Sequence, residues 1–327
     1  LMRELWYASS KDRMSIQSLK YSAFVTTTTN KLKQTFKNFN NNVFILRNMF
    51  DWELPQWNLD RDVVRKEMLS EWYPFNDKIV LGWAGLTSHF EDIKRMHEVY
   101  RYIHDRYPNV YFVLAGMALK DSAIEIQYDE NGKPKFKEKA IEDESMLYKN
   151  RVKNLYSDID SKRIKIFDAL PLEQYGKFYT LFDISLAYVE HNTFNQCKSE
   201  IKVVEGIHYN CIPVFSYYGG YKDYWDVVPK EIKQENMSIT SMLPKKWNES
   251  VEHWVKKCEE CINKIGQTPT QFKDGLMKDI KKFSDDRYNL NKHAEERLMF
   301  LLEQTERHQE KEINRIAKAT QIRETSF

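Results

Sequence analysis

The sequence predicts an α/β fold built on a doubly wound parallel sheet, and three observations point there. First, Lys78–Trp83 is a buried β-type run followed by a turn at Ala84–His89 and then by a helix with Ile93, Met96, Tyr100, Ile103 and Tyr107 on one face. Val110–Gly116 is the next apolar run, and strand, turn, helix, strand in that order makes neighbouring strands parallel. Second, short apolar runs recur at Arg163–Phe167, Asp183–Val189 and Cys211–Phe215. Third, 327 residues that are 42% hydrophobic and 30% charged suffice for the core of one large or two ordinary domains.

The chain begins with a mixed-polarity helix over residues 1–20. Ala23–Thr28 is a β-branched strand, Thr29–Phe36 a helix with Leu32 and Phe36 one turn apart, and Asn42–Arg47 a second strand closed by Asn48. Met49–Leu59, with Asp51, Pro55 and two tryptophans, reads as a crossing between domains. Residues 1–50 are expected to be the last strand–helix–strand of a Rossmann-like domain whose beginning is absent, 51–76 the crossing, and 77–285 a complete second domain. The opening Leu1-Met2-Arg3-Glu4 is neither a signal peptide nor an ordinary start, so an N-terminal part is expected elsewhere.

In the second domain, Gly85 stands between a strand and a helix, where backbone can approach an anion closely. Ser88 and Glu91 have capping-box spacing at that helix start. Residues 120–140 form an inserted hairpin, Ile124–Tyr128 and Pro134–Lys137 around an Asn131-Gly132 turn. Residues 141–156 return to helix, and Leu172, Tyr175, Phe178, Tyr179 and Phe182 stripe another. Tyr218-Gly219-Gly220-Tyr221 is a flexible aromatic turn, and Met237–Thr240 a short strand. Val251, Trp254, Val255, Cys258, Cys261, Ile262 and Ile265 line one helix closed by Gly266, and 286–327 is a charged helical tail.

One stretch, Phe194–Tyr217, organises the rest. Asn195 and Ser199 are helix-start residues with Lys198 beside them. Ile201, Val204, Ile207 and His208 recur at helical spacing, Asn210 closes the helix, and Cys211–Phe215 is a strand. A helix N-terminus offers unpaired N–H groups and partial positive charge, so it attracts phosphate, and Lys198 adds a full cation. Glu205, about two turns further on, reaches a ribose hydroxyl if it faces the same cleft.

Composition excludes several classes. A net charge of +2 gives no pull toward nucleic acid or an anionic membrane. No apolar run is long enough to span a bilayer. Four cysteines are too few for a disulfide framework, so a reducing, cytoplasmic compartment is the default.

Each singled-out residue also has a plainer reading. Cys258-x-x-Cys261 has the spacing of half a metal site, but both cysteines fall on an apolar stripe and no second pair exists, which favours core packing. His89 reads equally as a phosphate contact or an exposed residue of the first helical turn. Glu205 is a ribose acceptor or a solvated helix carboxylate. Lys198 is a surface lysine in the generic case, and its place at a helix start raises the functional reading. Tyr217, Tyr218 and Tyr221 are a platform for a sugar or ordinary loop aromatics, and Lys133–Lys139 is most simply a solvated face.

The residues also resemble a known family. Ile79–Asp92, IVLGWAGLTSHFED, looks like the first strand and loop of the C-terminal domain of a GT-B glycosyltransferase. Asp168–Tyr175 followed by Asp183–Leu186 resembles that domain's middle, and Val43–Asp51 its interdomain crossing. The spacing Phe194-Asn195-x-x-Lys198-Ser199-x-x-Lys202-x-x-Glu205, followed by Ile212-Pro213-Val214, resembles bacterial and phage proteins close to the group-1 retaining glycosyltransferases. The resemblance covers about residues 20 to 305.

It implies two Rossmann-like domains, the C-terminal one binding a nucleotide-diphosphate sugar. Lys198, Ser199 and the Gly85 loop with His89 would meet the diphosphate, Glu205 the ribose, and Asn195 the donor. No metal or other cofactor is implied, because helix dipole and cations carry the phosphate charge. The reaction would be glycosyl transfer to an acceptor hydroxyl, and no catalytic residue is assigned. Two departures stand out. Cys197 occupies the position, eight residues before Glu205, where the commoner pattern has a glutamate. Leu86 and His89 occupy the region where Arg and Lys often follow the first strand's glycine. These departures keep open a non-catalytic glycosyltransferase-like module in a viral particle or larger assembly.

Overall fold

The computed structural model describes residues 10–86, 89–117, 123–128, 134–139, 142–236, 241–242, 250–268 and 277–324. The chain divides into two compact units: Leu1–Asp51 with Gln196–Ser199 and Tyr288–Phe327, and Trp52–Asn195 with Glu200–Arg287.

In the first unit, α1 (Ser10–Tyr21) leads to β1 (Val25–Thr27), α2 (Asn30–Phe36) and β2 (Val43–Ile45). β1 and β2 pair in parallel, Val25 opposite Val43, so the predicted strand–helix–strand is present as a βαβ unit. Thr29 is extended and caps α2 by accepting the Leu32 N–H at 3.2 Å, which is why the helix begins there. Asn40 ties α1 to the start of β2: its Nδ2 donates to the Leu19 and Ser22 carbonyls, both at 2.8 Å, while its Oδ1 accepts the Asn42 N–H. Residue 50 bridges Asn289 and exchanges backbone bonds with Tyr288 and Leu290, anchoring the C-terminal helix Leu290–Glu324. Arg297 donates to the Arg47 carbonyl and Phe300 packs edge-on against Phe44. Leu298, Met299 and Leu302 on that helix are about half exposed or more.

The second unit begins with α3 (Arg61–Met68) and then runs β3 (Ile79–Ala84), α4 (Phe90–Arg106), β4 (Val110–Ala115), the hairpin β5 (Ala123–Tyr128) and β6 (Pro134–Lys139), α5 (Glu142–Leu155) and β7 (Ile164–Phe167). After α6 (Lys177–Thr180) come β8 (Ile184–Ala187), α7 (Thr193–Gln196), α8 (Ile201–His208), β9 (Ile212–Phe215), α9 (Gly219–Val227), α10 (Lys230–Asn236), β10 (Ser241–Met242), α11 (Val251–Gln267) and α12 (Lys278–Arg287). The main sheet has the order β10-β9-β8-β3-β4-β7 and every pair is parallel. Numbered by their place along the chain, its strands run 6-5-4-1-2-3, the doubly wound Rossmann order. The predicted fold class is therefore the observed one.

Packing sets that order. β3 is buried along its whole length, as a central parallel strand must be. Ile93, Met96, Tyr100 and Ile103 form the buried face of α4 and Trp254, Cys258, Cys261 and Ile262 that of α11, which packs against α4 and β9. At the β3–β8 pair, Gly82 faces Ser185 in register, and a Cβ on it would lie 2.0 Å from the Phe182 ring. The bare Cα makes room for a ring that is wholly buried. Asp183 pins the N-terminal ends: it accepts the Val80 N–H at 2.7 Å, both terminal nitrogens of Arg65 at 3.1 Å, and Arg61 at 2.8 Å. Burial pushes its carboxyl upward, but the two guanidiniums outweigh burial and hold it below the ordinary aspartate range.

Several local expectations change. Leu172–Phe182 is not one striped helix but a single 3-10 turn, Leu172–Gln174, followed by the four-residue α6. Leu172 is 74% exposed, so the stripe does not face the core at its start, and a Cβ on Gly176 would lie 1.9 Å from the Gln56 carbonyl, so only glycine fits there. Gly219 does not sit in a flexible turn; with φ of 55° it opens α9, and Tyr221 is buried. His89 is the residue before α4 and makes no side-chain cap bond. Ser88, the Asn131-Gly132 turn and Met237–Thr240 lie outside the described residues, and the strand after α10 is Ser241–Met242. The hairpin pairs antiparallel as predicted, Tyr128 opposite Pro134.

Candidate functional site

Open parallel sheets bind ligands beyond the carboxyl ends of their strands, at the point where the winding reverses. Here that point lies between β3 and β8, so the segments after Ala84 and Ala187 are the ones to inspect. Gly85 continues the β3 ladder by donating to the Ala115 carbonyl at 3.0 Å. Beside it Gly116 has φ of 90°, and a Cβ there would come within 2.4 Å of the Gly85 carbonyl oxygen. Two glycines thus let the β3 and β4 ends close on each other, leaving backbone rather than side chain at the rim.

His89 and Asp92 join the β3 loop to the β8 loop. The His89 imidazole shares a 2.6 Å hydrogen bond with Asp92 Oδ2 and packs edge-on against Trp83. The other oxygen, Asp92 Oδ1, accepts the Glu190 N–H at 2.8 Å. Asp92 is buried, so one carboxylate orients the ring and clamps the backbone across the reversal point. Asn195 continues the network: its Nδ2 donates to the Glu190 carbonyl at 2.9 Å, and its own N–H donates to Asn192 Oδ1 at 2.8 Å. Asn195 Oδ1 is buried and has no hydrogen-bond partner among the described residues. Tyr218 stacks on His191 with centroids 4.2 Å apart and donates to the Asn192 carbonyl.

α8 supplies the rest. It begins at Ile201 with Glu200 before it, ends where Asn210 turns to φ of 58°, and leads into β9 as predicted. Glu205 is 4% exposed, which removes the solvated reading of this carboxylate. Burial pushes its carboxyl up to about 8, with a hydrogen bond from Tyr179 and the charge of Lys202 pulling the other way. Glu205 Oε2 is buried without a hydrogen-bond partner among the described residues. A buried acceptor of this kind is expensive unless something satisfies it.

Lys202, absent from the predicted site residues, belongs beside them. Its Nζ lies 4.5 Å from the centre of the Trp83 ring, and a Cβ on Gly85 would fall 2.7 Å from that nitrogen. The available signal was the Lys202-x-x-Glu205 spacing, which puts both groups on one helix face.

The structure thus places Gly85, His89, Asn195 and Glu205 in the second unit. Lys198 and Ser199 group with the first unit, and the helix starts beyond them rather than at Ser199. Lys198 is half-buried, and Ser199 Oγ accepts a 3.1 Å hydrogen bond from Asn48. Among the described residues, no group of three or more His, Cys, Asp or Glu is placed to hold a metal ion, and no helix is long and apolar enough to cross a membrane. Cys258 and Cys261 are both buried core residues of α11, with burial pushing the Cys261 thiol up to about 12.

No protein-family model and no curated protein matches the chain. Solved structures do. HepE of Anabaena, in complex with UDP and glucose, superposes with a TM-score of 0.58 at 12% identity over 92% of this chain and 69% of that one. WaaG, a glycosyltransferase involved in lipopolysaccharide biosynthesis, gives 0.56 at 12% identity over 89% and 68%. Sucrose-phosphate synthase from Thermosynechococcus elongatus gives 0.57 at 12% identity over 92% and 64%. The fold is that of the GT-B glycosyltransferases, with Rossmann-like parallel sheets.

Proposed function

We propose that this chain binds a nucleoside diphosphate sugar at the β3–β8 reversal and transfers the sugar to an acceptor hydroxyl. In that reaction the bond from the anomeric carbon to the diphosphate oxygen breaks, its electron pair leaving with the phosphate. The acceptor oxygen bonds to the anomeric carbon and gives up its proton. The observation that carries the reading is a pair of buried acceptors, Glu205 Oε2 and Asn195 Oδ1, that have no hydrogen-bond partner among the described residues, together with the glycine rim. Ribose and sugar hydroxyls are donors that satisfy such oxygens. His89 is assigned to the phosphates, and the side-chain-free rim at Gly85 lets them approach the backbone closely. Lys198 and Ser199 are assigned to the diphosphate by their place in the motif. No metal is required where backbone dipoles and cations offset phosphate charge, and retention of configuration follows the family resembled.

Because HepE is also known in complex with UDP-glucose, UDP is the first nucleotide to try. Titration calorimetry with UDP-, GDP- and ADP-sugars is expected to give saturable heat with at least one. Folded protein that gives none refutes the reading. A second reading, a binding module without turnover, is favoured by Cys197, which stands where a carboxylate would lie eight residues before Glu205. Donor binding with no release of free nucleotide, across a set of hydroxyl acceptors, would select it.

A further inference from the structure

Lys198 carries the diphosphate in the motif-based assignment, yet the cation the fold sets against the glycine rim is Lys202. Its Nζ lies over the Trp83 indole, 4.5 Å from the ring centre, and Trp83 is itself wholly buried in β3. A cation over an indole face is attracted by the negative face of the ring, which fixes where it sits. Lys202 and Trp83 together fill the space beside Gly85. A Cβ at that position would lie 2.7 Å from the ammonium nitrogen and 2.5 Å from the tip of the indole. Glycine is therefore the residue that lets the ammonium reach the rim. Lys202 also sits in the first turn of α8, where the amide dipoles add to its charge. Two buried acceptors, Glu205 Oε2 on the same helix and Asn195 Oδ1, have no hydrogen-bond partner among the described residues.

We infer that Lys202, seated on Trp83 against Gly85, is the cation that engages the diphosphate of the donor and stabilises it as it leaves. The neighbours of Lys202 include the Trp83 ring, the Gly85 backbone and, one turn along the helix, Glu205. The role rests on the nucleoside diphosphate reading above.

The test compares Lys202→Met and Gly85→Ala with the natural protein. Calorimetry measures UDP, GDP and ADP, each beside its nucleoside, with inorganic pyrophosphate as a base-free probe and thermal melting as a fold check. Methionine keeps the stem and the contact with the indole while removing the charge. Lys202→Met is expected to weaken the preferred diphosphate and pyrophosphate by about 10- to 100-fold while the nucleoside changes little. Gly85→Ala leaves the lysine present but displaces its ammonium, and is expected to produce the same selective loss. It carries the comparison alone if Lys202→Met does not fold. Equal weakening of diphosphate and nucleoside would make Lys202 a counter-ion of Glu205 and overturn the inference, as would no change. Natural protein that binds no nucleoside diphosphate at all overturns both the site reading and this one.

Discussion

Replacing Glu205 by glutamine makes a folded protein whose stability depends on pH differently from the natural one. In the native state burial holds the Glu205 carboxyl at about 8 against an ordinary 4.5, so the folded chain keeps its proton where the unfolded chain has released it. Below pH 4.5 both states are protonated and the residue adds no pH dependence. As pH rises from 4.5 to about 8 the natural protein loses stability, and above that the loss is complete. At 1.36 kcal/mol per pH unit the full span comes to about 5 kcal/mol, and to about 3 kcal/mol by neutral pH. Glutamine has the same shape and does not titrate. The Glu205→Gln chain is therefore expected to gain on the natural one steadily from pH 5 to 8 and to hold its lead above. Urea unfolding of both proteins at matched pH values reads the difference directly. Titrations elsewhere in the molecule cancel in the comparison. A difference that stays flat across that range, or that moves against glutamine as pH rises, refutes a carboxyl kept protonated by burial.

Three further outcomes follow from the same geometry. If ionised Glu205 accepts the ribose hydroxyls, nucleoside diphosphate binding tightens as pH rises toward 8, by up to about tenfold per pH unit, and levels off above; a flat affinity profile takes Glu205 out of the site. Asp183→Asn leaves the Arg65 guanidinium, itself 8% exposed, without its bidentate partner, and should cost about 3–5 kcal/mol in urea unfolding at neutral pH. Because the folded Asp183 carboxyl is held low, that advantage of the natural protein should fade as pH drops below the ordinary aspartate value of 3.8, and persistence into strong acid would contradict it. Gly82→Ala drives a methyl group into the Phe182 ring at the centre of the sheet and should lower stability by about 1–3 kcal/mol, measured as a shifted melting midpoint.

The order of elements was legible in the sequence because it rests on local physics. Alternating or continuous apolar runs, the Thr29 cap and the left-handed Asn210 act within a few residues, and those features sit where periodicity and turn chemistry place them. The apolar stripe from Leu172 to Phe182 misled because apolar spacing does not tell a continuous α-helix from a 3-10 turn followed by one short helix, and Leu172 in that stripe is exposed. Of the candidate site, residue types at helix and loop junctions drew attention to Gly85, His89, Asn195 and Glu205, but nothing local says that Asp92 clamps Glu190 or that Lys202 rests on Trp83.

The sequence by itself determined an α/β chain, its alternation of strands and helices, and a polar helix-start motif followed by an apolar strand. Only the tertiary structure decided that β3 and β8 are neighbours, that the winding reverses between them, and that Glu205 lies out of water. Strand adjacency and burial are set by contacts between residues distant along the chain, and the environment those contacts create is what shifts a carboxyl or aims an ammonium.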